Sequence, residues 1–176
     1  MRSAAVALVW MYILVAPFAS HAANTERQFR CLAASQWCLF DDFDPMTRVT
    51  TMRAMVGSND PVDAGTITSR PAILLECKNG KPEWRFTASQ AFSYGPFGIR
   101  YRLDPGGVVG DTVASPETGG KVFRIRGGFP AAAMVSATRM TFEAKLASGA
   151  VRRLRFDVSG TAETLRSLGC ASATYR

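Results

Sequence analysis

Side-chain alternation constrains this chain most. In Gly98-Ile99-Arg100-Tyr101-Arg102-Leu103-Asp104, three apolar residues point one way and Arg100, Arg102 and Asp104 the other. A strand has a side-chain period of two, so the stretch reads as a half-buried strand with a charged outer face. The pattern returns at residues 83–87, 121–126, 139–146 and 151–158. Turn residues separate these runs, as in Pro105-Gly106-Gly107, Gly127-Gly128-Phe129-Pro130 and Ser148-Gly149. Many short strands with one apolar face need a common core. The fold class is therefore mainly β, an antiparallel β-sandwich or open barrel with a short helix at each end.

The remaining segments fill in this frame. Thr25-Glu26-Arg27-Gln28 has the form of a capping box. It predicts a short N-terminal helix through Phe29, Leu32 and Ala33. Asp41-Asp42-Phe43-Asp44-Pro45 lacks the glycine and distal glutamate of a calcium loop and reads as a polar loop ahead of the sandwich. Residues 47–56, 66–69 and 71–77 are β-prone, the last buried along most of its length. Asn79-Gly80 is a strong hairpin signal, and residues 83–87 return from it with Trp84 and Phe86 opposed to Arg85. Residues 92–97 form an aromatic connection in which Tyr94 and Phe97 suit core packing better than a binding loop. Val108, Val109 and Val113 suggest another strand, residues 115–120 a loop, and residues 131–137 a short helix or irregular run. Near the end, Ser159 or Thr161 caps a short helix with Leu165 and Leu168 on one face and Gly169 closing it.

Residues 1–22 stand apart. Arg2 precedes a nearly unbroken apolar run, and Ser20-His21-Ala22 ends it with small residues at the cleavage positions, which is the pattern of a secretory signal peptide. The run is short for a membrane anchor. The division that follows is a signal peptide over 1–22, an N-terminal helix and loop segment over 23–45 containing Cys31 and Cys38, and a β-sandwich over 46–176. Cleavage removes His21, the sequence's one histidine. That takes away the imidazole needed by most hydrolytic triads, zinc sites and pH switches. The chain's net charge of +7 falls by one with Arg2, so the exported protein stays basic.

Cys31, Cys38, Cys77 and Cys170 form an even set, which in an exported chain favours two disulfides. Three connectivities are open. If Cys31 pairs with Cys38, the N-terminal helix cannot run through both. Seven helical residues rise about 10 Å, whereas bridged Cα atoms lie within about 7 Å. A bend near Ser35-Gln36-Trp37 would then be required.

The order of these features resembles the periplasmic accessory proteins of type VI secretion, the VasI/TagO-like family. Cys31…Cys38-Leu39-Phe40-Asp41 is similar to that family's early two-cysteine segment. Leu74-Leu75-Glu76-Cys77 followed by Tyr101-Arg102-Leu103-Asp104 resembles its paired strands. Phe156-Asp157-Val158-Ser159-Gly160, a helix and Cys170 resemble its terminal segment. The chain departs at Ala171-Ser172, where the family often carries tryptophan. The resemblance covers most of residues 30–171. It implies an exported β-sandwich without catalysis, a place beside an envelope-spanning apparatus, and the pairings Cys31–Cys38 and Cys77–Cys170.

Arg100, Arg102, Arg124, Arg126, Arg153 and Arg155 all fall on polar faces of predicted strands. A solvated face whose charges also guard sheet edges is the plainer account. If the strands are neighbours, the guanidiniums instead form a basic surface for carboxylate or phosphate groups. The expected partners are envelope or secretion-apparatus proteins, or an anionic cell-wall polymer. Binding or inhibition of an anionic ligand or foreign enzyme through that face is the alternative function. Nucleic acid fits poorly with export and with aromatics that look buried. No residue spacing singles out a catalytic pair, a metal site or a phosphate loop. The chain is therefore expected to be non-enzymatic, without cofactor or stable transmembrane anchor, and periplasmic, with full secretion as the alternative.

Overall fold

A computed structural model describes residues 29–33, 35–64, 67–87, 92, 95–104, 107–117 and 121–170. The expected signal peptide, the capping box at residues 25–28 and Tyr94 lie outside the described residues. Twelve strands and two helices follow in chain order: β1 (Arg30–Cys31), β2 (Cys38–Asp44), β3 (Val49–Gly57), β4 (Val62–Ala64), β5 (Ile67–Ser69), β6 (Ala72–Lys78), β7 (Lys81–Thr87), β8 (Phe97–Asp104), β9 (Val108–Pro116), β10 (Val122–Arg126), α1 (Ala131–Ser136), β11 (Arg139–Lys145), β12 (Val151–Asp157) and α2 (Thr161–Ser167).

Ten strands form one antiparallel sheet in the order β1-β2-β3-β6-β7-β10-β9-β8-β11-β12, and β4 pairs with β5. β8 alternates buried and exposed residues from Phe97 to Leu103, with Ile99, Tyr101 and Leu103 inward. The β6–β7 hairpin turns at Asn79 and Gly80, whose φ values of 52° and 74° are those of the mirror-image turn that matches strand twist.

The sheet curls into an open barrel. β2 pairs with β3 from Val49 to Met55 and no further. Beyond that point β12 approaches the same strand. Ser58 bridges Phe156, the Asn59 amide donates to the Arg155 carbonyl at 2.8 Å, and the Arg155 amide donates to Asp60 Oδ2 at 2.7 Å. This seam leaves the β2–β3 hairpin projecting as an arm, with Phe43, Met46, Val49 and Met52 exposed.

Aromatic rings fill the interior. Phe86 lies 4.8 Å from Phe142 and 5.2 Å from Phe92, centroid to centroid. Phe97 and Phe123 adjoin them at 5.0 Å from each other. A second group, Trp37, Trp84, Phe129 and Tyr101, continues the core. α2 ends in a paired turn, where the Cys170 amide donates to the Leu165 carbonyl and the Gly169 amide to that of Arg166. Cys170 is thereby presented to Cys77 at the end of β6. The bridges are Cys31–Cys38 and Cys77–Cys170.

Four expectations are corrected. Residues 30–31 form a strand paired with Cys38 and Leu39, not a helix. The apolar spacing of Phe29, Leu32 and Ala33 mimics a helical face, but the sheet edge and the disulfide hold the backbone extended. Asp41 to Asp44 belong to β2 and not to a loop. Ser115 and Pro116 likewise remain in strand, opposite Arg124 and Phe123. Helix α2 is capped by Gly160 without a side-chain bond. Thr161 turns its hydroxyl back to the Val158 carbonyl at 2.6 Å.

Candidate functional site: a charge-paired face and a buried ion network

Strand register brings four of the six expected arginines together. β11 lies between β8 and β12, so Arg100, Glu143 and Arg153 form one cross-strand row and Arg102, Thr141 and Arg155 the next. The rows border an open depression of about 720 Å³. Arg124 and Arg126 stand apart on β10, separated from β8 by β9.

The face is not uniformly basic. Arg153 Nη2 and Nε donate to Glu143 Oε1 at 2.6 and 2.8 Å. Arg155 holds Asp60 at 2.6 and 3.1 Å. Arg102 pairs with Asp104 at 3.2 Å and Arg100 with Asp111 at 3.4 Å. Four guanidiniums thus meet four carboxylates. The hydrogen bond from Arg155 holds the Asp60 carboxyl below its usual range. All four arginine side chains are about two-thirds exposed, so these pairs contribute little to stability. Their arrangement instead gives the face an alternating charge pattern.

A second network lies across β2, β3, β6, β7 and β10. Glu76 Oε2 accepts from Arg53 Nε at 2.7 Å and from Arg85 Nη1 at 2.8 Å. Arg53 also pairs with Asp42. Arg85 reaches Glu117 at 3.0 Å and Glu83 at 3.3 Å, and Arg124 joins Glu117 at 3.1 Å. Cross-strand neighbours of like charge are interleaved by a third group. Arg85 and Arg124 face each other and share Glu117, while Glu76 and Glu83 face each other and share Arg85. Burial pushes the Glu76 carboxyl up, but Arg85 and then Arg53 outweigh it and the net direction is down. Burial likewise opposes the charge on Arg85, and Glu76 and Glu117 hold it protonated.

Sequence reasoning passed over Glu76 and Arg53. The available signal was a carboxylate inside the apolar run Ile73-Leu74-Leu75-Glu76-Cys77, since a buried acid needs a cation beside it. Arg126 is exposed, and its carbonyl accepts from Thr112 Oγ1 at 2.5 Å. Tyr101 lies under the first depression, its phenol pushed up by burial and by the charge of Asp111. Among the described residues no group of acids, cysteines or histidine is placed to hold a metal. No described helix is long and apolar enough to cross a membrane.

The fold and its bridges define a class: an antiparallel open barrel closed by a seam, with a terminal helix stapled to the sheet. Among solved structures the chain is similar to invasion associated protein B from Bartonella henselae, with a TM-score of 0.55 and 11% identity over 80% of this chain and 94% of that one. At that identity the likeness is one of fold. No family model matches the chain, and no curated sequence matches it significantly.

Proposed function

We propose that this is an exported, non-catalytic protein that works by binding another protein through the β8–β11–β12 face. One observation carries the reading: each of the four arginines on that face is already tied to a carboxylate on the same surface. A polyanion gains most from unopposed cations. A polypeptide with its own alternating charges can exchange partners with such a mosaic, which favours orientation and specificity. The exposed apolar arm at Phe43, Met46 and Met52 adds contact surface of the kind that marks protein interaction sites. The carboxyl groups of Asp44, Asp60 and Glu76 are displaced downward from their usual range. None of those three is tuned as a neutral general acid. The apolar leader and two disulfides support export to the periplasm.

The most specific form of the reading places the protein beside a type VI secretion apparatus, on the strength of the sequence resemblance. The name of the fold neighbour offers another setting, invasion of a host cell. A photo-crosslinking residue in place of Thr141, at the centre of the face, tests both. Capture of one envelope or host protein, lost in Glu143→Arg, is the expected result. An apparatus component among the captured species supports the secretion setting. Glycan fragments alone, or capture unaffected by Glu143→Arg, would overturn the protein-binding reading in favour of an anionic ligand or of a merely solvated face.

A further inference from the structure

Strand β2 has an open outer edge. On that side β1 pairs with Cys38 and Leu39, and the Phe29 ring then lies 5.3 Å from that of Phe40. From Asp41 to Asp44 no described strand lies alongside. On its inner side β2 pairs with β3 residue for residue, so the ladder carries no bulge. The direction of the free backbone groups follows from the first hairpin. The Leu32 amide donates to the Trp37 carbonyl at 2.9 Å, which makes Leu32 and Trp37 a hydrogen-bonded pair. Such pairs alternate with open ones along an antiparallel ladder. Leu39 therefore turns its amide and carbonyl toward β1, and Asp41 and Phe43 turn theirs toward the open edge. Both residues are exposed.

The side chains along this edge are acidic and apolar. Asp41 faces Met52 across the ladder, and Phe43 lies on the same side, 56% exposed against 43% for Met52. Asp42 is tied to Arg53. Asp44 accepts from the Met46 amide at 2.8 Å in the turn, and neither Asp41 nor Asp44 meets a cation among the described residues. β6 joins β3 only from Arg53 onward. The arm is thus a two-stranded ribbon, an arrangement that gains stability from a third strand.

We infer that the Asp41 to Asp44 edge takes up an extended basic segment of another protein as an added antiparallel strand, in the direction that β1 already runs. The amides and carbonyls of the segment bond to those of Asp41 and Phe43. Its side chains alternate, with an apolar residue opposite Phe43 and Lys or Arg opposite Asp41 and Asp44. Opposite charges directly across a ladder stabilise it, and like charges destabilise it. Pairing of β2 with β2 of a second copy would bring two aspartate-rich strands together. The acids that guard the edge against self-pairing therefore also select a basic strand. This rests on and deepens the reading of the arm as contact surface. The edge shares no residue with the β8–β11–β12 face, so failed strand addition and failed crosslinking at Thr141 are separate results.

The test is a titration of the ¹⁵N-labelled protein with the peptide acetyl-Val-Thr-Lys-Val-Thr-Lys-amide, whose last four residues lie opposite Asp44, Phe43, Asp42 and Asp41. Binding should move the Asp41 and Phe43 amide resonances saturably and slow their exchange. N-methylation of the fourth and sixth peptide residues, whose amides face Phe43 and Asp41, should abolish binding. N-methylation of the third and fifth, whose amides face away, should leave it in place. Glutamate in place of both lysines should weaken binding about tenfold, and Asp41→Asn, at an exposed position, about threefold. Equal binding of the two methylated peptides, equal binding of the lysine and glutamate peptides, or no movement of the two resonances in natively folded protein would overturn the inference. So would slow exchange of these amides before peptide is added, which would show the edge already covered, by residues before Phe29 or by a second copy.

Discussion

Glu76 is the residue on which the most charge depends. Its side chain and that of Arg85 are only 9% and 10% exposed. Two cations converge on one of its oxygens. Removing one member of a buried ion pair leaves the other's desolvation uncompensated, at about 3–5 kcal/mol. Arg85 keeps Glu83 and Glu117, so Glu76→Ala should cost about 3 kcal/mol, the lower end of that range, in urea unfolding. The pH dependence has a definite sign. The folded carboxyl lies below its ordinary value of 4.5. Its contribution is therefore fully present above that value and is lost as pH falls through the lower, folded one. Glu76→Gln should leave a stability deficit that is constant at neutral pH and shrinks below about pH 4.5. A deficit that grows on acidification would contradict the assignment.

At the scale of elements, the two disulfides do different work. Cys77–Cys170 spans 93 residues and fastens α2 to the end of β6, whereas Cys31–Cys38 spans 7 and closes a hairpin already held by strand pairing. In the chain-entropy account those loops correspond to about 4.6 and about 2.3 kcal/mol. The Cys77→Ser/Cys170→Ser variant should lose about twice the stability of Cys31→Ser/Cys38→Ser when each is unfolded by denaturant. Equal losses would mean that α2 is held mainly by packing, through buried Leu165 and Thr164. Elements were also where the sequence was easiest to read. The hairpin at Asn79-Gly80, the alternation in β8, β10, β11 and β12, and helix α2 follow from local chemistry. The N-terminal strand did not, because five residues with helix-like apolar spacing carry no sign of the edge they will pair with. In β2, Asp41, Asp42 and Asp44 suggested a loop by composition. Their strand geometry comes from β3 alongside and, at Asp42, from Arg53.

The whole molecule is decided by long-range pairing, which local pattern does not encode. Alternation said that Arg100, Arg102, Arg124, Arg126, Arg153 and Arg155 point outward. Only the order β10-β9-β8-β11-β12 separates the two on β10 from the other four, and only register puts Glu143 and Thr141 between those four. Closure was equally hidden. It depends on the β2–β3 pairing ending at Met55 so that Ser58, Asn59 and Asp60 can take β12 on the vacated edge. Asp60 holds that seam by accepting from the Arg155 amide at 2.7 Å and from its guanidinium at 2.6 Å. The same carboxylate belongs to the charge-paired face, so barrel closure and the proposed binding surface are coupled through one side chain. Asp60→Ala should therefore loosen the seam first. Amide exchange should quicken in β12 and at Asn59, while the β9–β10 pair, farthest from the seam in the strand order, keeps its protection. Because the Arg155 hydrogen bond holds the Asp60 carboxyl below its ordinary 3.8, wild-type protein should keep these amides protected at pH 5 and lose protection only as pH falls below that value. Uniform loss of protection across all strands would show that the barrel opens as one unit, and that Asp60 supports the whole sheet and not the seam alone.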